Sequence, residues 1–254
     1  MPLYDYISTP TGATVALWHL TETEPELAAL LPEEERLRLT GEGLSSKRFC
    51  EQAATRLLLE HMEATRGAFV AHTEEGQPYL PGRPGHLSIS HTRQWVAVAW
   101  HPTLPVGIDI ERTGVQVERV ATRVFGDAEL QAHADPAQTH TVWLHLCWSA
   151  KEALFKAIPE TEIDFREHLH LTPPDTIEKE GIFTATESRT PARRGYRLWY
   201  RTHPEWVMIC ALNSSVKPAA RTASTTRSAG TSALTVSNLS GFDKSRLHCS
   251  GVRN

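Results

Sequence analysis

Asp109 and Glu111 stand two residues apart in Val106-Gly107-Ile108-Asp109-Ile110-Glu111. The alternation predicts a short β-strand with Val106, Ile108 and Ile110 on one face and Gly107, Asp109 and Glu111 on the other. Two carboxylates side by side on a half-buried face repel each other. A hard cation that takes oxygen ligands, Mg²⁺ above all, relieves that repulsion. Gly107 leaves room beside them for something bulky to approach. Taken alone, the hexapeptide favours a plainer reading, an edge strand with one solvated polar face, because D-x-E triplets are common.

A second cluster follows about forty residues on, in Trp148-Ser149-Ala150-Lys151-Glu152-Ala153-Leu154-Phe155-Lys156. The run is rich in helix formers and puts Glu152 and Lys156 at i and i+4, neighbours on one face. Lys151 lies next door, angled about 100° round the helix. An ordinary surface ion pair of this kind contributes a few tenths of a kcal/mol. A third carboxylate with two lysines is also what a metal-bound pyrophosphate needs: carboxylates for the cation, ammonium groups for the remaining phosphate charge.

In this order, V-G-I-D-I-E followed by W-S-A-K-E-A-L-F-K resembles the paired motifs of the 4′-phosphopantetheinyl transferases, in particular the larger, monomeric type that activates carrier proteins of peptide and polyketide synthases. Upstream, Gly76-Gln77-Pro78-Tyr79-Leu80 resembles that family's G-K-P segment, and Leu87-Ser88-Ile89-Ser90-His91-Thr92 its S-H-S segment. The resemblance covers roughly residues 13 to 212. It implies transfer of the 4′-phosphopantetheine arm of coenzyme A to a serine of an apo carrier protein, with release of 3′,5′-ADP. It further implies that Asp109, Glu111 and Glu152 hold Mg²⁺ and that Glu152 is the general base, directly or through a water. Lys156 is then a catalytic phosphate contact, with Lys151 as a helper. His91 would bind the cofactor's 3′-phosphate, with Ser90 and Thr92 donating hydrogen bonds beside it. Gln77 stands where the family has lysine, and Pro78 would border the adenine. The helix segment Ala54-Thr55-Arg56-Leu57-Leu58 resembles the family's A-G-R-L-L, which puts Lys47, with Arg48 adjacent, at a phosphate-binding basic position.

The implied fold is α+β: two similar subdomains in pseudo-twofold arrangement with the site in the cleft between them, here 1–112 and 113–214. The implied partner is an acidic acyl or peptidyl carrier protein, for which Arg119 and Arg123 beside Val120 and Val124 form a candidate docking strip. Two other classes use the same residues. A Mg²⁺-dependent phosphohydrolase would direct water at the phosphate, and a non-catalytic homologue would bind coenzyme A or a carrier without transfer.

Composition narrows the classes further. A hydrophobic content of 40% and a charged content of 22% suit a soluble globular protein. No run of eighteen or more apolar residues occurs, and the N-terminus lacks the basic and apolar regions of a secretory signal, so the expectation is cytoplasmic. Cys50, Cys147, Cys210 and Cys249 form no C-x-x-C pair and read as free thiols. The formal charge is −4, but residues 216–254 carry six basic residues and one acidic. The remainder therefore holds 20 basic and 29 acidic residues, an excess that argues against nucleic-acid binding. The expected state is a monomer.

The elements that must position these residues are legible in outline. Val15–Leu20 predicts an opening strand, Thr23 and Glu26 a capping box for a short helix, and Pro32 the start of another. A longer helix is expected from about Ser46 to Glu63, stopped by Gly67, with strands at Ala68–His72, His86–Ser90 and Trp95–Trp100. After the acidic strand come a helix at Val117–Phe125 and a long one from near Pro136 to about Ile158. Strands then recur at Phe165–Leu171, Gly181–Thr186, Tyr196–Thr202 and Trp206–Leu212. His133, His140, His145, His168 and His170 read as surface residues, the last two on one strand face. Residues 215–254 are Ser/Thr-rich and poor in large apolar side chains, so a disordered tail is expected there.

Overall fold

Apolar residues dominate the central strands, which bury both of their faces. The computed structural model describes residues 3–114, 116–134, 137–160 and 162–214, which fall within one unit, Met1–Val216. The expected tail at 215–254 and the expected helix start at Pro136 lie outside the described residues.

A four-stranded antiparallel sheet has the order β1 (Leu3–Ser8), β2 (Thr14–His19), β6 (Trp95–His101), β5 (His86–Thr92). A five-stranded antiparallel sheet has the order β7 (Val106–Arg112), β11 (Trp206–Asn213), β10 (Gly195–Thr202), β9 (Glu180–Glu187), β8 (Leu169–Thr172). A small hairpin pairs β3 (Ala71–His72) with β4 (Pro78–Tyr79). The α+β class follows directly.

The two large sheets share an interior. Val15 and Leu17 of β2, Trp95, Ala97 and Ala99 of β6, Val106, Ile108 and Ile110 of β7, and Trp206, Met208, Cys210 and Leu212 of β11 pack together there. The alternate residues face outward to helices. Ala16, Trp18, Val96 and Val98 pack on α1 (Glu24–Leu30), α2 (Glu33–Gly41) and α3 (Ser46–His61). Val207, Ile209 and Ala211 pack on α4 (Gln116–Val124) and α6 (Ala137–Ala157). The result is helices, sheet, sheet, helices, with three apolar layers. Period-2 strands can serve two cores in this way because successive side chains point to opposite faces.

Local signals account for the element ends. The backbone N–H of Thr23 donates to Glu26 (2.8 Å) at the start of α1, half of a capping box. Ser45 caps α3, its hydroxyl accepting from the Arg48 N–H (3.4 Å). The helix ends at His61, short of the expected Glu63, and Gly67 (φ +70°) lies beyond an intervening turn rather than at its end.

Three expectations are corrected. Phe165–Leu171 is not one strand: Asp164 accepts from the N–H groups of Arg166 and Glu167 and turns Phe165–His168 into a helical turn, α7, before β8 begins. His168 and His170 therefore share no strand face. His145 is buried rather than on the surface, its Nε2 accepting from the Gly114 N–H (2.8 Å). Strands β1 and β4 and the short helix α5 (Asp127–Gln131) had no expected counterpart. No described helix is long and apolar enough to cross a membrane.

Candidate active site

Strand β7 ends its own sheet, and β5 ends the other. An exposed strand edge leaves N–H groups without partners. Here two serines satisfy them: Ser88 Oγ accepts from the Ile108 N–H (3.0 Å) and Ser90 Oγ from the Ile110 N–H (3.3 Å). The acidic strand is thus seated against the S-I-S segment of β5 by side chains, not by a backbone ladder. It is no solvated edge.

The other side of β7 receives α6. A Cβ on Gly107 would lie 1.8 Å from the Ala153 carbonyl oxygen, inside any allowed contact. The bulky neighbour for which Gly107 makes room is the backbone of the helix that carries Glu152 and Lys156. That approach lets a strand and a helix forty residues apart share one site.

Asp109 is the hub. Its Oδ1 accepts from Ser90 Oγ (2.9 Å) and Lys156 Nζ (2.9 Å), and its Oδ2 from Ser149 Oγ (2.8 Å). Lys156 Nζ also donates to the Ile108 carbonyl (2.9 Å). Burial, and then the Asp109 charge, push Glu111 up to about 8, although Trp148 hydrogen-bonds to it. The same two causes push Glu152 up to about 7. Three carboxylates crowd a poorly hydrated place, and Lys156 is the ammonium that faces them.

In charge and donor type this set suits a hard divalent cation, which takes oxygen ligands and offsets excess negative charge. The expected convergence is not preformed, however. Among the described residues no three His, Cys, Asp or Glu side chains stand together as a metal-binding group. The two oxygens of Asp109 face Ser90, Ser149 and Lys156.

A second cluster lies on α3 and the end of β5. Arg48 Nη1 stands 3.1 Å from His91 Nε2, and Glu51 approaches Arg48 (3.4 Å), His91 Nδ1 (3.3 Å) and Lys47 (3.7 Å). Lys47, Arg48 and His91 are thus brought together around a buried carboxylate, Glu51. The electrostatic influence of Lys156 reaches His91, as does that of Glu51. Burial first, then Arg48, hold the imidazole below its usual range.

Other expected residues take different places. The Ser90 proton is donated to Asp109, so this hydroxyl positions the hub rather than reaching a cofactor. Lys151 is wholly buried, donating to the carbonyls of Val124 and Phe165 and pairing with Glu129 (2.7 Å). It ties α6 to α4 and α7 and cannot help with phosphate. Arg56 pairs with Glu35 (3.0 Å) and fastens α3 to α2. Thr92 is half-buried at the end of β5, Gln77 is exposed in the β3–β4 hairpin, and Pro78 is half-buried on β4. Arg119 and Arg123 are exposed on α4, while Val120 and Val124 are only partly so.

Ser88, Ser149 and Glu51 were missed. Ser149 lay inside the W-S-A-K-E run, and Glu51 stood one turn after Lys47 and Arg48. Polar residues at helical spacing beside recognised ones were the available signal.

Residues 105–207 match the profile of the 4′-phosphopantetheinyl transferase superfamily. The likeness is confined to this stretch of the chain. The stretch contains β7 and α6, hence Asp109, Glu111, Glu152 and Lys156. The chain is 39% identical over 87 residues to a 4′-phosphopantetheinyl transferase of Bacillus subtilis, an alignment covering 33% of this chain and 38% of the relative. It is 35% identical over 85 residues to 4′-phosphopantetheinyl transferase Sfp of Bacillus subtilis (strain 168), with the same coverage. The matched stretch thus spans little more than a third of the curated relatives' length.

Proposed function

We propose that the protein transfers the 4′-phosphopantetheine group of coenzyme A to a serine hydroxyl of an apo acyl or peptidyl carrier protein, with Mg²⁺, and releases 3′,5′-ADP. The observation that carries this reading is the juncture of β7 and α6. Gly107 admits the helix so closely that Asp109, Glu111, Glu152 and Lys156 become one electrostatic unit, inside the stretch that matches the superfamily.

Asp109, Glu111 and Glu152 would hold the Mg²⁺. Bound there, the ion would offset charge on the pyrophosphate as the bond to the leaving nucleotide breaks. Lys156 supplies a mobile positive charge for a phosphate oxygen, its ammonium now resting on Asp109. Glu152 accepts the proton of the attacking serine, directly or through a water. Lys47, Arg48 and His91 receive the 3′-phosphate, and Pro78, on the strand beside β5, borders the adenine. Gln77 keeps a hydrogen-bond donor where a lysine would add charge. We place residues 1–112 and 113–214 as the pseudo-twofold halves, with β7 of the first completing the sheet of the second, the carrier on the α4 side, and the active protein in the cytoplasm as a monomer.

The test is incubation with coenzyme A, Mg²⁺ and a panel of apo carriers, followed by intact mass. A gain of one phosphopantetheine per carrier supports the reading. Release of inorganic phosphate with no carrier modified would make the protein a phosphohydrolase, and coenzyme A binding with neither outcome would make it a scaffold.

A further inference from the structure

We infer that Glu51 is a positioning residue for a phosphate-monoester subsite, acting through His91 and Arg48. This deepens the proposed function, since it rests on the reading that His91, Lys47 and Arg48 receive the 3′-phosphate of coenzyme A. Glu51 lies on α3 one turn beyond Lys47 and Arg48, and only 4% of it is exposed. A carboxylate is almost never buried to that extent unless paired. Its oxygens meet one group from β5 and two from its own helix: His91 Nδ1 at 3.3 Å, Arg48 at 3.4 Å and Lys47 at 3.7 Å. Oε1 is buried yet has no hydrogen-bond partner of good geometry.

The donor rules fix the tautomer. Guanidinium can only donate, so His91 Nε2 is the acceptor from Arg48 at 3.1 Å. The ring proton of the neutral imidazole is then on Nδ1, toward Glu51. Arg48, half exposed along its side chain, covers the outward nitrogen. A dianionic phosphate entering from solvent offers Arg48 and Lys47 a stronger partner than a distant carboxylate. It thereby uncovers Nε2, which takes up a proton and donates to the phosphate. Glu51 remains behind Nδ1–H and stabilises the imidazolium that forms. The proton comes from solvent, and no covalent bond to the ligand forms or breaks.

The groups that face His91 are Glu51, Arg48 and Lys47 of α3 and Lys156 of α6. Glu51 is the anion among them. Without it, three cations would disfavour the charged ring. The buried carboxylate thus converts a strand-end histidine into a phosphate-binding cation, and it serves to distinguish a ligand bearing the terminal phosphate from one lacking it.

The experiment compares dissociation constants of coenzyme A and 3′-dephospho-coenzyme A by calorimetry for wild type and Glu51→Gln. The wild type is expected to prefer coenzyme A. In Glu51→Gln that preference falls by about tenfold, while affinity for the dephospho form is kept. Coenzyme A binding by the wild type should also take up protons, measured across buffers of different ionisation heat, and the variant should lose that uptake. Glu51→Asp should restore part of both. A variant that weakens both ligands equally shows a merely structural carboxylate and overturns the inference. If the variant does not fold, His91→Gln carries the same comparison: loss of proton uptake supports the ring as the acceptor, and unchanged uptake overturns it. A wild type that does not discriminate the two ligands would instead overturn the placement of the 3′-phosphate itself.

Discussion

At the scale of single residues, the strongest feature is charge that the protein does not itself neutralise. Lys156 is the ammonium that answers Asp109, Glu111 and Glu152, and two of those acids are raised well above 4.5. An acid whose folded pKa is raised binds protons in the folded state that the unfolded chain has already lost. Metal-free stability should therefore fall as pH rises from about 4.5 through about 8. We predict that the melting temperature without divalent ions declines across this window and that Glu111→Gln flattens the decline. An equally steep profile in the variant would reject the assignment. The residue types and spacing of the site were legible in sequence because each motif is short and local. The roles of Ser88, Ser90 and Ser149 were not, because a hydroxyl's partner depends on which strands meet.

At the scale of elements, the site exists because α6 lies directly on β7. Gly107→Ala would drive a methyl group into the Ala153 carbonyl. Overpacking of a core costs about 1–3 kcal/mol, and against backbone the helix itself must move. We predict a melting temperature lower by roughly 3–10 °C, with carrier modification falling further than stability alone explains, since Lys156 would leave Asp109. Wild-type activity in this variant would show that the contact does not position the site. Lys151 supplies a second test. Lys151→Ala strands Glu129 in the core without its cation, and breaking a buried pair in this way costs about 3–5 kcal/mol. Urea denaturation should register that loss; a change below about 1 kcal/mol would mean that Glu129 finds other partners. Lys151 was expected near phosphate because it stands beside Glu152 in the motif, yet a position 100° round a helix faces another layer. The same limit explains Phe165–Leu171. Its alternation is strand-like, but the Asp164 cap decides the local backbone.

At the scale of the whole molecule, two sheets share one apolar interior and carry helices on their outer faces, and the site lies where their edge strands meet. Period-2 patterning made most strands visible and therefore the α+β class. It did not reveal that two edges would be joined by serine side chains, a feature of topology rather than of periodicity. Arg119 and Arg123 stand exposed on α4 in a chain whose first 215 residues are strongly acidic. Reversing both to Glu should raise the KM for an acidic carrier several-fold, more at low salt, and leave kcat unchanged. An unchanged KM would remove α4 from the docking surface. A chain ending at Asn213 should retain its melting temperature and transfer activity, because residues 216–254 offer little apolar surface to bury.

The most direct measurement is intact-mass analysis of an apo carrier after one turnover with coenzyme A and Mg²⁺, using wild type, Asp109→Ala and Glu152→Ala side by side. The account predicts one phosphopantetheine added by the wild type and none by either variant. A carrier modified equally by all three, or by none with any carrier tried, would contradict it.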